Sequence, residues 1–310
     1  MNLVKSAFLS LVFKTVFAAA IRKTPFAIAF AWIGFSIVRG YGGDFETAVA
    51  HYRDRRFGEA QPLFEKIAAS APTNAQVVFY LGALALRRGD FAESVKQLER
   101  ATQLDPSSGH YQNELGDAYG VSAQKGGMLS KLGFAKKCLA AYERAVALEP
   151  DNLEYRLSVI NYYVQAPGFA GGSMKKAYAI AEELRKRDPL VGGLTIAGLY
   201  GSEKKWPQAF DIVDALRKAY PERRELLYQI GRLAAISGHQ LERGRDALDE
   251  YLKIPPAPGQ PTPLQAQLRL GALHEKRGDT GSARAAYRAA LEIDENSSTA
   301  REALERLKGN

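Results

Sequence analysis

Prolines close one amphipathic run after another along this chain, and their spacing restricts the fold more than any other feature. Pro72, Pro106, Pro150, Pro189 and Pro221 each end such a run, at successive separations of 34, 44, 39 and 32 residues. The clearest unit is FYLGALALRRGDFAESVKQLERATQLDP, from Phe79 to Pro106. Leu81, Leu84 and Ala85 share one face of a first helix; Val95, Leu98 and Ala101 share one face of a second. Between them Gly89 supplies a left-handed turn and Asp90 an N-cap. Pro106 then stops the pair, because proline has no N–H to give and its ring clashes inside a helix. Two later stretches, LLYQIGRLAAISGHQLERGRDALDEYLKIP and LRLGALHEKRGDTGSARAAYRAALEIDE, repeat the arrangement.

A helix–turn–helix unit with a period near 34 residues resembles the tetratricopeptide repeat. The matching residues are Leu81-Gly82, Gly89, Phe91, Ala101 and Pro106 in the second unit, and Leu270-Gly271, Gly278, Ala283, Tyr287 and Ala290 in the last. The resemblance implies an all-α, right-handed superhelical solenoid of about seven repeats between residues 44 and 297. Gly82, Gly116, Gly231 and Gly271 stand where the first helix of a unit needs close approach from the second. Phe64, Leu98, Tyr142 and Tyr287 are the large residues expected beside those contacts. No unit of this kind buries its own apolar face, so neighbours must stack. SSTAREALERLKGN, with Ser297 or Ser298 as N-cap and Ala300, Leu304 and Leu307 on one face, is the expected C-terminal capping helix.

The chain divides accordingly. Residues 44–253 carry repeats one to six, residues 254–263 form a proline-rich connector, and residues 264–310 carry repeat seven and the capping helix. The connector, IPPAPGQPTP, holds five prolines in ten residues and cannot be helical. Repeats three and four contain expanded helix–helix turns at residues 124–131 and 166–176. The second of these, QAPGFAGGSMKKA, has the glycine-then-lysine flavour of a phosphate loop. A nucleotide loop needs a preceding strand and a lysine directly after its last glycine, and here Ser173 and Met174 follow Gly172. What survives is an anion site in which Gly171, Gly172, Lys175 and Lys176 offer amides and positive charge at a helix start. Expanded connections of this length are often functional.

Charge argues against nucleic acid. The net charge is +8, but Lys5, Lys14, Arg22, Lys23 and Arg39 give the first forty residues +5 with no acid, leaving a mixed-sign body of only +3. Tracking a phosphate backbone needs clustered positive charge. The same leader places SAFLSLVFKTVFAAAI and IRKTP before FAIAFAWIGFSIV, thirteen uncharged residues. A basic flank, short apolar core and small residues near Tyr41 describe a signal peptide. The alternative is an uncleaved anchor in residues 26–38, although a full span needs about 20 residues. Residues 1–40 are thus read as a signal peptide or membrane anchor, with the protein periplasmic or held at the inner membrane.

Catalytic and metal chemistry are not indicated. Cys138 is the one cysteine and lies on the inner face of an amphipathic run, as a small buried hydrophobe would. His51, His110, His239 and His274 lack ligand spacing. No nucleophile elbow or zincin motif is present. No cofactor is expected. The resemblance places ligands along the first helices, on a concave surface that helical phase assigns to Phe79, Tyr80, Asn113, Asp117, Asn161, Tyr228, Arg232 and Arg269. That mixture suits an extended peptide or a partner helix. One subset of the family grips C-terminal carboxylates with paired asparagines; Ala83 and Asp117 occupy those slots here, against a clamp of that type. The resulting expectation is a non-catalytic protein-interaction scaffold of a bacterial envelope. The alternatives are an anion-binding protein or enzyme centred on the expanded turns, and a membrane-tethered assembly factor.

Overall fold

Short polar side chains cap the starts of several helices, and left-handed glycines end several of them. The Asn74 carboxamide accepts from the amides of Gln76 and Val77, Asp90 caps Glu93, Asp188 caps Leu190 and Val191, and Thr262 with Gln265 completes a capping box. Gly89, at φ +82°, closes the helix before it and leaves Asp90 free to open the next.

The computed structural model describes residues 42–125 and 128–308; the leader read over residues 1–40 lies outside them. Among the described residues every regular element is helical. The helices are α1 (Gly42–Arg53), α2 (Phe57–Ser70), α3 (Ala75–Arg88), α4 (Phe91–Leu104), α5 (Gly109–Lys125), α6 (Met128–Leu148) and α7 (Leu153–Gln165). A 3₁₀ turn spans Gly168–Ala170. Then come α8 (Met174–Arg187), α9 (Pro189–Ser202), α10 (Trp206–Ala219), α11 (Glu225–Ser237), α12 (Leu241–Leu252), α13 (Pro263–Lys276), α14 (Thr280–Ile293) and α15 (Ser298–Arg306). They form two compact units, α1–α7 ending at Ser173 and α8–α15 from Met174 onward.

Within each unit a helix packs on the next in sequence, and first helices of adjacent repeats also touch, α3 on α5 and α11 on α13. The glycines make this possible. A Cβ added at Gly82 would lie 2.8 Å from Leu98 Cγ, and one at Gly116, Gly231 or Gly271 would collide with Tyr142, Leu248 or Tyr287 respectively. Each notch in a first helix is filled by a large residue of its own second helix. In the amino-terminal unit Phe64, Ile67 and Ala60 are buried with Ala48, and Tyr80 stacks on Phe64 at 4.7 Å. At the other end Ala300 and Ala303 of α15, with Leu307 just after it, cover Ala283, Tyr287 and Ala290. Ser297 occupies the N-cap position of α15, but its hydroxyl makes no capping bond.

One sequence expectation is corrected. Residues 124–131 were expected to form an expanded turn; instead α5 runs to Lys125 and α6 starts at Met128. The extra length of repeat three goes into longer helices, 17 and 21 residues against the 14 of α3 and α4. The physical reason is local packing: Tyr119 and Phe134 meet at 6.0 Å, so the added segments bury apolar surface against each other.

The proline-rich connector between α12 and α13 is held at several points. Arg224 donates to the carbonyls of Tyr251, at 2.6 Å, and Ile254, at 2.8 Å. The Tyr251 hydroxyl donates to Pro261 O at 2.6 Å, and Gln260 donates to the buried Glu225 carboxylate at 3.0 Å.

A paired substitution isolates the notch. Gly116→Ala should lower the urea midpoint, corresponding to about 1–3 kcal/mol of overpacking against Tyr142. Gly133→Ala in α6, with nothing within 4 Å of the new methyl, should raise stability by up to ~1 kcal/mol through helix propensity. Equal effects of the two variants would contradict the role assigned to the notch.

Candidate functional site

The notch at Gly116 also places a hydroxyl. Because the Tyr142 ring fills it, the phenol reaches the next residue of α5 and donates to Asp117 Oδ1 at 2.5 Å. Repeat seven repeats the device: Tyr287 fills the notch at Gly271 and donates to Glu275. In repeat three, however, the tyrosine is only part of the surroundings of Asp117. Burial raises the Asp117 pKa to about 7, and the charge of Glu114 adds to that rise, while the Tyr142 hydrogen bond and Arg87 of α3 oppose it. Glu114 is itself raised, by burial first and then by Glu154 of α7, with Arg87 again opposing. Glu154 is raised by burial, then by Asp117 and Glu149. Three first helices, α3, α5 and α7, thus bring three mutually repelling carboxyls and one guanidinium within electrostatic reach.

Asn113 completes this face. It precedes Asp117 by one helical turn and so points the same way. It is only 4% exposed, and its Oδ1 is buried without a hydrogen-bond donor. Tyr52 of α1 lies at the edge, where Arg87 bonds to its hydroxyl. Cys138, behind Tyr142, is buried, and burial together with Asp117 pushes its thiol up to about 12. At neutral pH it therefore carries almost no thiolate and has little nucleophilic capacity.

The other residues assigned to the groove are placed differently. Phe79 stacks on Tyr111 of the next repeat at 4.7 Å and 17°, and Tyr80 stacks on Phe64, so both are spent on packing. Tyr228 is buried against Tyr251. Asn161 is half-buried and accepts from Gln165. In the carboxy-terminal unit Arg232 of α11 is 3% exposed and donates through Nε to Gln229 Oε1 at 2.8 Å. Burial lowers its pKa to about 10; Tyr228 opposes this, and the nearby charge of Arg269 on α13 adds to it. Arg269 is half-buried, with Nε lacking a hydrogen-bond partner. Asn113 is therefore brought together with Asp117, and Arg232 with Arg269. Glu114, Glu154 and Arg87 are the functional candidates that sequence reasoning missed; projecting acids onto successive first helices would have found them.

The turn at 166–173 is compact. Gly171 N donates to Gly168 O at 3.0 Å, Gly172 N to Pro167 O at 3.0 Å, and Ser173 N to Tyr163 O at 2.8 Å. Gly171 has φ +92°, and a side chain at Gly172 would overlap the Ala166 carbonyl, which accounts for both glycines. The three amides are donated within the turn itself, so the backbone part of the anion cradle expected at Gly171 and Gly172 is already used. Lys175 and Lys176 are exposed in the first turn of α8, in the other unit. Phe169 is 80% exposed beside a depression of about 390 Å³ lined by Lys136, Leu139, Glu143 and Tyr162. Among the described residues no group of His, Cys, Asp and Glu could hold a metal ion, and no helix is long and apolar enough to cross a membrane.

Comparison with known proteins gives a consistent fold. Models described as tetratricopeptide repeat match residues 45–109, 81–119 and 264–297. A tetratricopeptide repeat protein from Parabacteroides merdae superposes with a TM-score of 0.59 at 14% identity, over 87% of this chain and 99% of that one. Human IFIT1, solved as a dimer with PPP-AAAA, gives 0.51 at 17% identity, over 86% of this chain and 62% of its own. Comparison with curated proteins gives no match.

The raised Asp117 pKa has a signed consequence. A carboxyl that binds its proton more tightly folded than unfolded contributes stability below its ordinary value near 4, and loses it as pH rises toward about 7. The groups facing it are Arg87, Glu114, Cys138, Tyr142 and Glu154. Asp117→Asn keeps an acceptor for Tyr142 and removes the titration. Its melting temperature relative to the unsubstituted protein should therefore be higher at pH 8 than at pH 4.5; a difference independent of pH would refute the assignment.

Proposed function

Because the chain is a tetratricopeptide-repeat protein, we propose that it is a non-catalytic scaffold whose first-helix faces hold a peptide or helix of a protein partner. One observation carries this reading. The first helices concentrate charge and amide groups in or at the edge of the core, at Asn113, Glu114 and Asp117 in one unit and at Arg232 and Arg269 in the other. Burying such groups is costly unless something repays the lost hydration, and fold stability alone would favour apolar side chains there. A partner segment laid along these helices would supply a donor to Asn113 Oδ1 and an acceptor to Arg269 Nε, both buried without one. The second helices carry ordinary solvated ion pairs on their outer faces, such as Lys96–Glu93 and Lys186–Glu183.

The partner is a protein, and its identity is a matter for capture from the native cell. Affinity purification with the full chain should return a defined partner whose recovery falls at least ten-fold with Asn161→Ala combined with Arg269→Ala. Lys96→Ala, on the outer face of α4, should leave recovery unchanged. Equal recovery in all three would remove the first-helix faces from the account.

The cellular setting follows from the sequence of the first forty residues, whose basic flank and short apolar core support export to a bacterial envelope. Mass measurement of the mature chain should give a start near Tyr41. A chain retaining residues 1–40 in the membrane fraction would replace export with tethering.

A further inference from the structure

The amino-terminal unit has a face made almost wholly of acceptors. Asp117, Glu114 and Glu154 carry carboxyls from α5 and α7 that act on one another, and Glu149 adds its charge at Glu154. Asn113, on the same side of α5 as Asp117, has a buried Oδ1 with no donor. Arg87 is the cation that Asp117 and Glu114 feel, and it is bonded to Tyr52. A buried amide oxygen without a donor is a costly arrangement, and carboxylates crowded together are another. Both costs are relieved by the same kind of group, a positive charge carrying several N–H donors. An ammonium offers three and a guanidinium five. A chelated metal is the poorer match, since no three acidic, histidine or cysteine side chains among the described residues converge closely enough to hold one.

We infer that the face centred on Asn113 and Asp117 receives a lysine or arginine side chain from an extended basic segment of a protein partner. The inference rests on the scaffold reading above and adds the chemistry of the bound segment. Charge complementarity selects the occupant: three carboxyl groups, whose charged forms a cation would stabilise, and an acceptor without a donor sit in a body whose overall balance is slightly basic. The polarity is opposite to that of a face built to grip a terminal carboxylate, which Asp117 would repel. It also differs from the Arg232–Arg269 pair of the other unit, so a basic segment is directed to the first helices of the amino-terminal unit.

Fluorescence anisotropy with the full chain tests this, using a fluorescein-labelled decapeptide of alternating lysine and alanine and its fully lysine-acetylated counterpart. The lysine peptide should bind, and acetylation should weaken binding at least ten-fold. Glu154→Gln and Asp117→Asn should each weaken it at least five-fold, while Lys96→Ala should not. Melting curves identify any variant that fails to fold; should Asp117→Asn do so, the exposed Glu154 decides the matter. Equal affinity for the two peptides, or unchanged affinity in Glu154→Gln, overturns the inference. So does calcium chloride stabilising the unsubstituted protein but not Glu154→Gln, because the face would then be a metal site. An acetylated peptide that binds as well as the lysine form, yet is lost with Asn161→Ala, overturns the cation and leaves the scaffold standing. A native partner indifferent to first-helix substitutions overturns the scaffold itself.

Discussion

The close approach of two helices at a missing Cβ is the constraint on which this structure depends. Gly82, Gly116, Gly231 and Gly271 each remove one side chain from a first helix, and Leu98, Tyr142, Leu248 and Tyr287 enter the space. Packing at protein-like density follows only if the two surfaces interlock, and one methyl at the notch would force them apart. Everything else in a repeat is arranged around that contact. The capping residues set where each helix begins, and the apolar stripe supplies material for the next repeat to cover.

The same contact turns packing into polarity. A tyrosine in the notch carries its hydroxyl past the backbone of the first helix, where an acid must meet it. Asp117 serves Tyr142 and Glu275 serves Tyr287. Repeat two, with Leu98 in the notch, needs no such acid. In repeat three the acid has company from α7, and the resulting crowding distinguishes this place from an ordinary buried phenol.

Much of the fold was legible because a 34-residue period leaves little freedom: seven helix pairs, Gly89 at a left-handed turn and the N-cap at Asp90 all follow from local chemistry. The extent of the turn expected at 124–131 did not, because helices of 17 and 21 residues depend on what their added segments pack against. Tyr119 of α5 and Phe134 of α6 meet at 6.0 Å, a tertiary contact that local propensity does not encode. Helical phase put Asn113 and Asp117 on one face and Phe79 with them, although the Phe79 ring is stacked on Tyr111 of the next repeat. Glu114 and Glu154 were invisible because a lone acid on a helix reads as a solvated residue. Only the convergence of α5 and α7 shows that these two are not independent.

The connector between α12 and α13 shows what a ligated, proline-rich join does to an array. Prolines restrict the unfolded chain as well as the folded one, so fixing this segment forfeits less disorder than fixing a glycine-rich link of equal length. Arg224, Tyr251 and Gln260 then tie it to the repeat it leaves. Repeats six and seven are therefore coupled mechanically: a twist imposed on the last helix pair is passed along as torque rather than dissipated at a swivel.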